Sequence, residues 1–306
     1  MELTYGVIGT GAIGGFYGGI LSDTGKNVNF LINSDYDFVK QNGLYIDSAV
    51  FGKIKCKGNY YDTVEKMPKC DILLVGLKTN KNYLLQKLLP SVLKNDSLVI
   101  LIQNGLGAEQ DLEKVFPDIK IAGGVAQILS HKSSPGIIRH QQLGNLSLGS
   151  FNDKDDSKLE QVIKDFNETS KIICTKKNLN YSRWNKLLWN IPFNGLSVIL
   201  NAQTDKLINN KSMLNLIEEI MGEVVSGAKA CGVEISEKLI KEQIEITKKM
   251  PSYSPSMKLD FDNHRKMEIH YMYEKPIKMA LEKGYYMSKV DMIAKLLHFA
   301  EDEYSC

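Results

Sequence analysis

Cysteine is scarce in this sequence. The five residues, Cys56, Cys70, Cys174, Cys231 and Cys306, are an odd number, far apart, with no C-x-x-C pair and no Cys/His cluster. That spacing argues against a disulfide framework and a structural zinc site, so no metal is expected and a reducing compartment fits. No run reaches the roughly 18 apolar residues that a membrane span needs. The apolar run at 3–8 lacks the charged region that opens a secretory signal, so a cytoplasmic protein is expected. An excess of one charge is missing as well: 38 Lys+Arg against 36 Asp+Glu leave a net +2, with no long basic block. Charge therefore predicts no nucleic-acid and no membrane partner. Internal repeats and low-complexity linkers are absent.

What is present is an ordinary globular composition, 43% hydrophobic and 24% charged, which excludes a disordered chain, a collagen-like repeat and a coiled-coil rod. The 306 residues, at about 150 per domain, suggest two domains. In the first half, β-rich runs at 5–8, 28–32, 71–77 and 97–102 alternate with helical patterns at 16–21 and 82–93. Near-continuous apolar strands of this kind form a parallel sheet covered on both faces. Further runs at 121–129, 136–140 and 145–148, joined by Ser-Ser-Pro-Gly and Gln-Leu-Gly turns, predict an antiparallel extension. A helix at 157–168 and a strand at 172–174 follow. From about residue 180 the pattern is helical, at 184–200, 213–231, 236–249, 267–283 and 289–304. The expected organisation is an α/β Rossmann-like domain over 1–176 and an all-α domain over 177–306.

The first strand runs into Gly9-Thr10-Gly11-Ala12-Ile13-Gly14, a G-x-G-x-x-G that opens a helix. The first glycine permits the tight turn, the second lets a pyrophosphate approach the backbone, and the third lets helix and strand pack closely. Following a strand and preceding a helix, it is read as a dinucleotide site. The end of the second strand should show which dinucleotide binds, through an acid for a ribose hydroxyl or an arginine for a 2′-phosphate. Here it carries Asn33-Ser34-Asp35. Asn33 favours neither, and Asp35 is as readily a helix N-cap as a ribose ligand, so NADP and NAD both stay open.

Two other apolar strands end in polar residues, Lys78-Thr79-Asn80 and Gln103-Asn104-Gly105, on the rim where ligands of such folds bind. In the helix beginning near Arg183, Lys186, Asn190 and Asn194 fall at i, i+4 and i+8 on one stripe among Leu, Trp, Ile and Phe. Asparagines in an apolar setting need partners, so something polar must face the stripe; the competing reading is a solvated lysine with two capping asparagines. Pro192 inside the run predicts a kink. Ser254 and Ser256 read as N-caps, and Glu268 as a surface carboxylate.

Taken together in this order, Gly9–Gly14, Leu77-Lys78-Thr79, Gln103-Asn104-Gly105, Lys186-Leu187-Leu188-Trp189-Asn190 with Asn194, and Ser256-Met257 with Glu268 resemble the ketopantoate reductase family over nearly the whole chain. The resemblance implies a Rossmann-like domain that binds NADPH and a helical domain that closes over a 2-oxo acid. It implies Lys186 as the catalytic lysine, with Glu268 orienting it or the carbonyl. Asn190 and Asn194 would contact the hydroxyl-bearing end of the substrate, and Ser256 its carboxylate. Lys78 and Asn104 would lie beside nicotinamide, ribose or substrate, and Asn33 at the adenosine end of the cofactor. NADP-type members usually carry arginine where this chain has Asn33, which keeps NAD open. The residues Tyr253-Ser254-Pro255 also depart from the family pattern, which keeps another bulky 2-oxo acid as an alternative substrate. A dinucleotide sensor without chemistry is the non-enzymatic alternative, and a homodimer is compatible with the apolar helices.

Overall fold

The computed structural model describes residues 3–152 and 155–303, and the chain divides into two compact units. One comprises Met1–Gln103 and Ala108–Leu179, the other Asn104–Gly107 and Asn180–Cys306. In chain order the first unit holds β1 (Thr4–Ile8), α1 (Ala12–Asp23), β2 (Asn27–Leu31), α2 (Tyr36–Asn42), β3 (Tyr45–Ser48), β4 (Gly52–Lys55), β5 (Asn59–Tyr61), β6 (Cys70–Val75), α3 (Leu85–Val92), β7 (Leu93–Leu101), α4 (Ala108–Val115), β8 (Lys120–Ser134), β9 (Ile137–Ser150), α5 (Ser157–Glu168) and β10 (Cys174–Lys176).

These strands form one sheet in the order β4-β3-β9-β8-β7-β6-β1-β2-β5, with β10 also on β9. The stretch β5-β2-β1-β6-β7-β8 is parallel throughout. In chain order it reads third, second, first, fourth, fifth, sixth, the doubly wound arrangement whose direction reverses between β1 and β6. Parallel strands covered on both faces need apolar residues at every position, and Tyr5, Val7, Ile8, Ile72, Leu73, Leu74 and Val75 are all fully buried. The extension is antiparallel at β8–β9 and β3–β4, and parallel where β3 and β10 join β9.

Three features differ from the sequence expectations. The short strands β3, β4 and β5 lie where no apolar run marks them; Gly-Lys-Ile-Lys buries one residue of four, and pairing with neighbours, not local pattern, makes it a strand. The three runs expected between 121 and 148 are two long strands, turning once at Pro135-Gly136. Gln142-Leu143-Gly144 is a bulge within β9, where the register to β8 slips between Gln127 and Ile128. Leu143 there has φ +64° and a half-exposed side chain. The buried His140 ring supports the bulge: Nε2 donates to the carbonyls of Gln142 and Leu143 at 3.1 Å each, and Nδ1 accepts from Ser48 Oγ at 2.8 Å. Carbonyls only accept, so Nε2 carries a proton, and burial, which pushes the pKa of the ring down, favours the neutral form with Nδ1 as the acceptor.

The boundary between the units falls after Leu179, beyond the expected 176, because the ladder continues with Lys177 N donating to Leu148 O at 2.8 Å. Leu179 then packs over Gly149, whose place a Cβ would fill only 2.9 Å from the Leu179 Cβ. The second unit consists of α6 (Leu179–Ile199), α7 (Thr204–Asn209), α8 (Lys211–Ala230), α9 (Lys238–Lys248), α10 (Ser256–Asp262), a π turn (His270–Glu274), α11 (Lys275–Leu281) and α12 (Ser288–Asp302). The helix expected over 267–283 is thus a π turn followed by a short α-helix. Tyr304 and Cys306 lie outside the described residues. The core of this unit surrounds α6, with Trp184, Leu187, Leu188, Ile191 and Phe193 buried to within 1%; each such side chain contributes about 1.5–3 kcal/mol by leaving water. The helix continues through Pro192.

Leu143→Asn should raise stability by about 0.5–1 kcal/mol, because asparagine tolerates the left-handed conformation that costs leucine about 1–2 kcal/mol. A urea midpoint that rises at constant slope would show it, whereas an unchanged midpoint would mean that the bulge holds no such strain.

Candidate active site

Two clusters of sequence-predicted residues are assembled, one in each unit. In the first unit, the direction reversal of the sheet brings the ends of β1 and β6 side by side, joined by Gly76 N donating to Ile8 O at 2.9 Å. Gly9 turns the chain with φ +90°. A Cβ there would stand 2.6 Å from the Leu77 amide, so only glycine fits. At Gly14 a Cβ would run into the Gly9 carbonyl and approach Val7 Cγ1 to 3.0 Å, while at Gly11 nothing lies within 4 Å. The middle glycine therefore leaves the backbone open to approach. Helix α1 starts here with no side chain capping its N-terminus and no acid in its first turn, so Ala12 and Ile13 open a helix whose first N–H groups suit an anion. Thr10 Oγ1 donates to Leu31 O at 2.8 Å, tying the turn to the end of β2. This set fits the pyrophosphate of a dinucleotide.

Lys78 follows β6 on the same rim, half-buried. The turn that carries it is fastened by Gln103, whose Nε2 donates to Leu77 O at 2.8 Å and to Asn82 Oδ1 at 2.7 Å. Asn33 is exposed beyond β2. Asp35 stands at the N-cap position of α2, as one of its two readings expected. No side-chain cap bond joins it to α2, and its buried carboxylate is occupied by Lys132 and by the Gly136 amide at 3.0 Å.

The second cluster gathers around α6. Lys186 Nζ donates to Asn104 Oδ1 at 2.7 Å. Asn104 belongs to the second unit through the short segment Asn104–Gly107, although β7 in the first unit precedes it in the chain. That segment is seated on the π turn: Leu106 N donates to Tyr271 O at 2.8 Å. Gly105, with φ +91°, lies so close that a Cβ would come within 2.6 Å of the Tyr271 carbonyl carbon. Burial of the ammonium, aided by the neighbouring Arg183 and opposed in part by Glu268, brings the Lys186 pKa down to about 8. Arg183, itself buried, had no role in the sequence reading; its place one turn before Lys186 was the available signal.

The asparagines are divided in their duties. Asn194 is 1% exposed; its Oδ1 accepts from Met257 N at 3.1 Å and its Nδ2 donates to Asn190 O at 3.0 Å. It thus caps α10, whose N-cap residue Pro255 has no side-chain donor or acceptor for the task, and leaves Ser256 exposed on the first turn. One acceptor site of the Asn194 oxygen and one of its two N–H groups are used in this way. Asn190 is buried one turn earlier. Among the described residues no group of three or more His, Cys, Asp or Glu could hold a metal, and no helix is long and apolar enough to cross a membrane.

Comparison with known proteins places this geometry among relatives. Residues 5–153 match the family described as Ketopantoate reductase PanE/ApbA, and residues 178–301 match its C-terminal counterpart. A 2-dehydropantoate 2-reductase of Nostoc sp. (strain PCC 7120) is 39% identical over 98% of this chain and 96% of its own. The crystal structure of 2-dehydropantoate 2-reductase from Geobacter metallireducens GS-15 superposes with a TM-score of 0.93 at 32% identity, over 97% of this chain and 100% of that one. A ternary structure of D-mandelate dehydrogenase with NADH and anilino(oxo)acetate has a TM-score of 0.89 at 21% identity, over 99% and 100% of the two chains, and shares the fold.

Asn194→Ala should cost about 1–3 kcal/mol of stability, since it strands the buried Met257 N–H. Denaturant titration checks this; a stability equal to wild type would assign Asn194 to ligand contact alone.

Proposed function

This chain belongs to the ketopantoate reductase family, and we propose that it is an NADPH-dependent 2-dehydropantoate 2-reductase forming (R)-pantoate, a step toward pantothenate and coenzyme A. The observation that carries the reading is the Lys186 ammonium, bonded to Asn104 and lowered by burial to a pKa of about 8. A proton donor is most effective when its pKa lies near the working pH, and a lysine in water lies more than two units above it.

A reduced nicotinamide dinucleotide held at Gly9–Gly14 would supply the hydride for the ketone carbon. Reduction leaves negative charge on the carbonyl oxygen, and Lys186 neutralises it by donating a proton there. Asn104 accepts one ammonium N–H and so aims the remaining donors. Glu268 favours the charged amine against the burial and the Arg183 repulsion that disfavour it. Ser256, exposed on the first turn of α10, binds the substrate carboxylate, and Asn190 contacts the hydroxyl end. Asn194 holds α10 in register with α6. Gly9–Gly14 hold the pyrophosphate, with Lys78 on the same rim. An unpaired buried amide is costly, so Asn190 would discriminate against 2-oxo acids that lack the hydroxyl.

NADPH consumed on addition of ketopantoate, repeated with NADH, tests the reading; faster turnover of a bulky 2-oxo acid without the hydroxyl would replace the substrate. Lys186→Ala should lower kcat on the order of 100- to 10,000-fold with dinucleotide affinity retained, and normal turnover would remove the lysine from the mechanism.

The proton donor is present below its pKa and lost above it. kcat/KM for reduction should therefore fall as pH rises through about 8. Glu268→Gln removes the group that raises this pKa, so the falling limb should move to lower pH. A limb that stays in place would separate Glu268 from Lys186.

A further inference from the structure

We propose that Lys132 sets the dinucleotide preference of this chain, by holding the Asp35 carboxylate out of reach of the adenosine ribose and presenting its own ammonium to a 2′-phosphate. The inference rests on the dinucleotide reading of the glycine turn and goes beyond it to a residue on a distant strand.

In doubly wound folds an acid about 20 residues beyond the glycine turn accepts from the ribose 2′-hydroxyl of NAD. Asp35 stands at that separation from Gly14 and is the carboxylate nearest the end of β2 in the sequence. Its oxygens are nevertheless fully engaged elsewhere. Lys132, near the end of β8, pairs with both of them. Gly136 N, at the turn between β8 and β9, donates to Oδ2 at 3.0 Å, and Ser34 Oγ donates to Oδ1 at 3.0 Å. The carboxylate has turned toward the β8–β9 hairpin and fastens its tip. Burial pushes the Asp35 pKa up, but Lys132, the Gly136 amide and Ser34 outweigh it and hold it below the ordinary range, so the pair stays ionised.

The pair is asymmetric in exposure. The Asp35 side chain is 6% exposed and that of Lys132 29%. An ammonium has three N–H donors, so two bonds to Asp35 leave one for the solvent side. The residues at the end of β2 itself, Asn33 and Ser34, are exposed and uncharged. The arriving adenosine therefore meets no accessible carboxylate from Asp35 and one partly exposed cation. A phosphate monoester carries about two negative charges near neutral pH. With Lys132 in place it finds a partner and a neutralised acid; without Lys132 it would face an uncompensated Asp35, which would then be able to accept from a ribose hydroxyl.

The test titrates the purified full chain with NADPH, NADH, 2′,5′-ADP and 5′-ADP, reading binding by calorimetry so that turnover plays no part. In Lys132→Met, affinity for NADPH and for 2′,5′-ADP should fall by about tenfold or more, the worth of one charge-assisted bond, while NADH binds as well as before or tighter. Equal weakening of all four, or no change in any, would overturn the proposal. Asp35→Asn, which keeps an acceptor for Gly136, guards against a folding defect in the first variant. It should preserve or raise the NADPH:NADH ratio, whereas selective loss of NADH would place Asp35 on the ribose and overturn the proposal. A wild-type chain that binds neither dinucleotide overturns the cofactor reading and this one together. One that binds both, with a ratio indifferent to position 132, overturns this one alone.

Discussion

An ammonium withdrawn from water persists only where acceptors and opposite charge replace its hydration, and Lys186 places that condition on the whole second unit. Its bond to Asn104 requires a segment that follows β7 to be seated among helices. The segment reaches its seat because Leu106 bonds the Tyr271 carbonyl and Gly105 leaves no side chain in the way. The π turn that receives it begins two residues after Glu268, the carboxylate that favours the charged lysine. Such turns, with one residue too many for an α-helix, often mark functional positions. Here the extra residue lies where loop, lysine and carboxylate are brought into register.

The same condition on buried polar groups organises the rest of the molecule. Asn194 is buried yet engaged through both ends of its amide. His140 is buried yet bonded through both ring nitrogens, which makes a bulge affordable in the longest hairpin of the sheet. Asp35 is buried and neutralised from another strand. In each case the side chain completes backbone elsewhere in its own unit. A half-satisfied network would be worse than an apolar one, so these partnerships are specified as tightly as the core.

Much of the architecture was legible in the sequence for a physical reason. Strands buried on both faces, such as β1 and β6, have to be apolar at consecutive positions, and glycines at a strand-to-helix turn are needed wherever a Cβ would strike the neighbouring backbone. The stripe of Lys186, Asn190 and Asn194 stood out because polar residues rarely accompany Trp, Leu and Phe without cause. The short strands β3, β4 and β5 were not legible, since strands of three or four residues owe their conformation to the strands they pair with. The Gln142-Leu143-Gly144 segment looked like a turn because a bulge and a turn use the same residue types. The two differ only in whether the partner strand continues alongside.

The sequence by itself determined the fold class, the position of the glycine turn, the helical character of the second half and the spacing that lines up one lysine with two asparagines, because all of these follow from periodicity along a single segment. Only the tertiary structure decided that Asn104 accepts from Lys186, that Asn194 caps α10, and that Asp35 answers to Lys132. Each of those joins residues separated by 60 to 100 positions, roughly, and a hydrogen bond over such a separation depends on where the intervening chain is folded back, which no local pattern encodes.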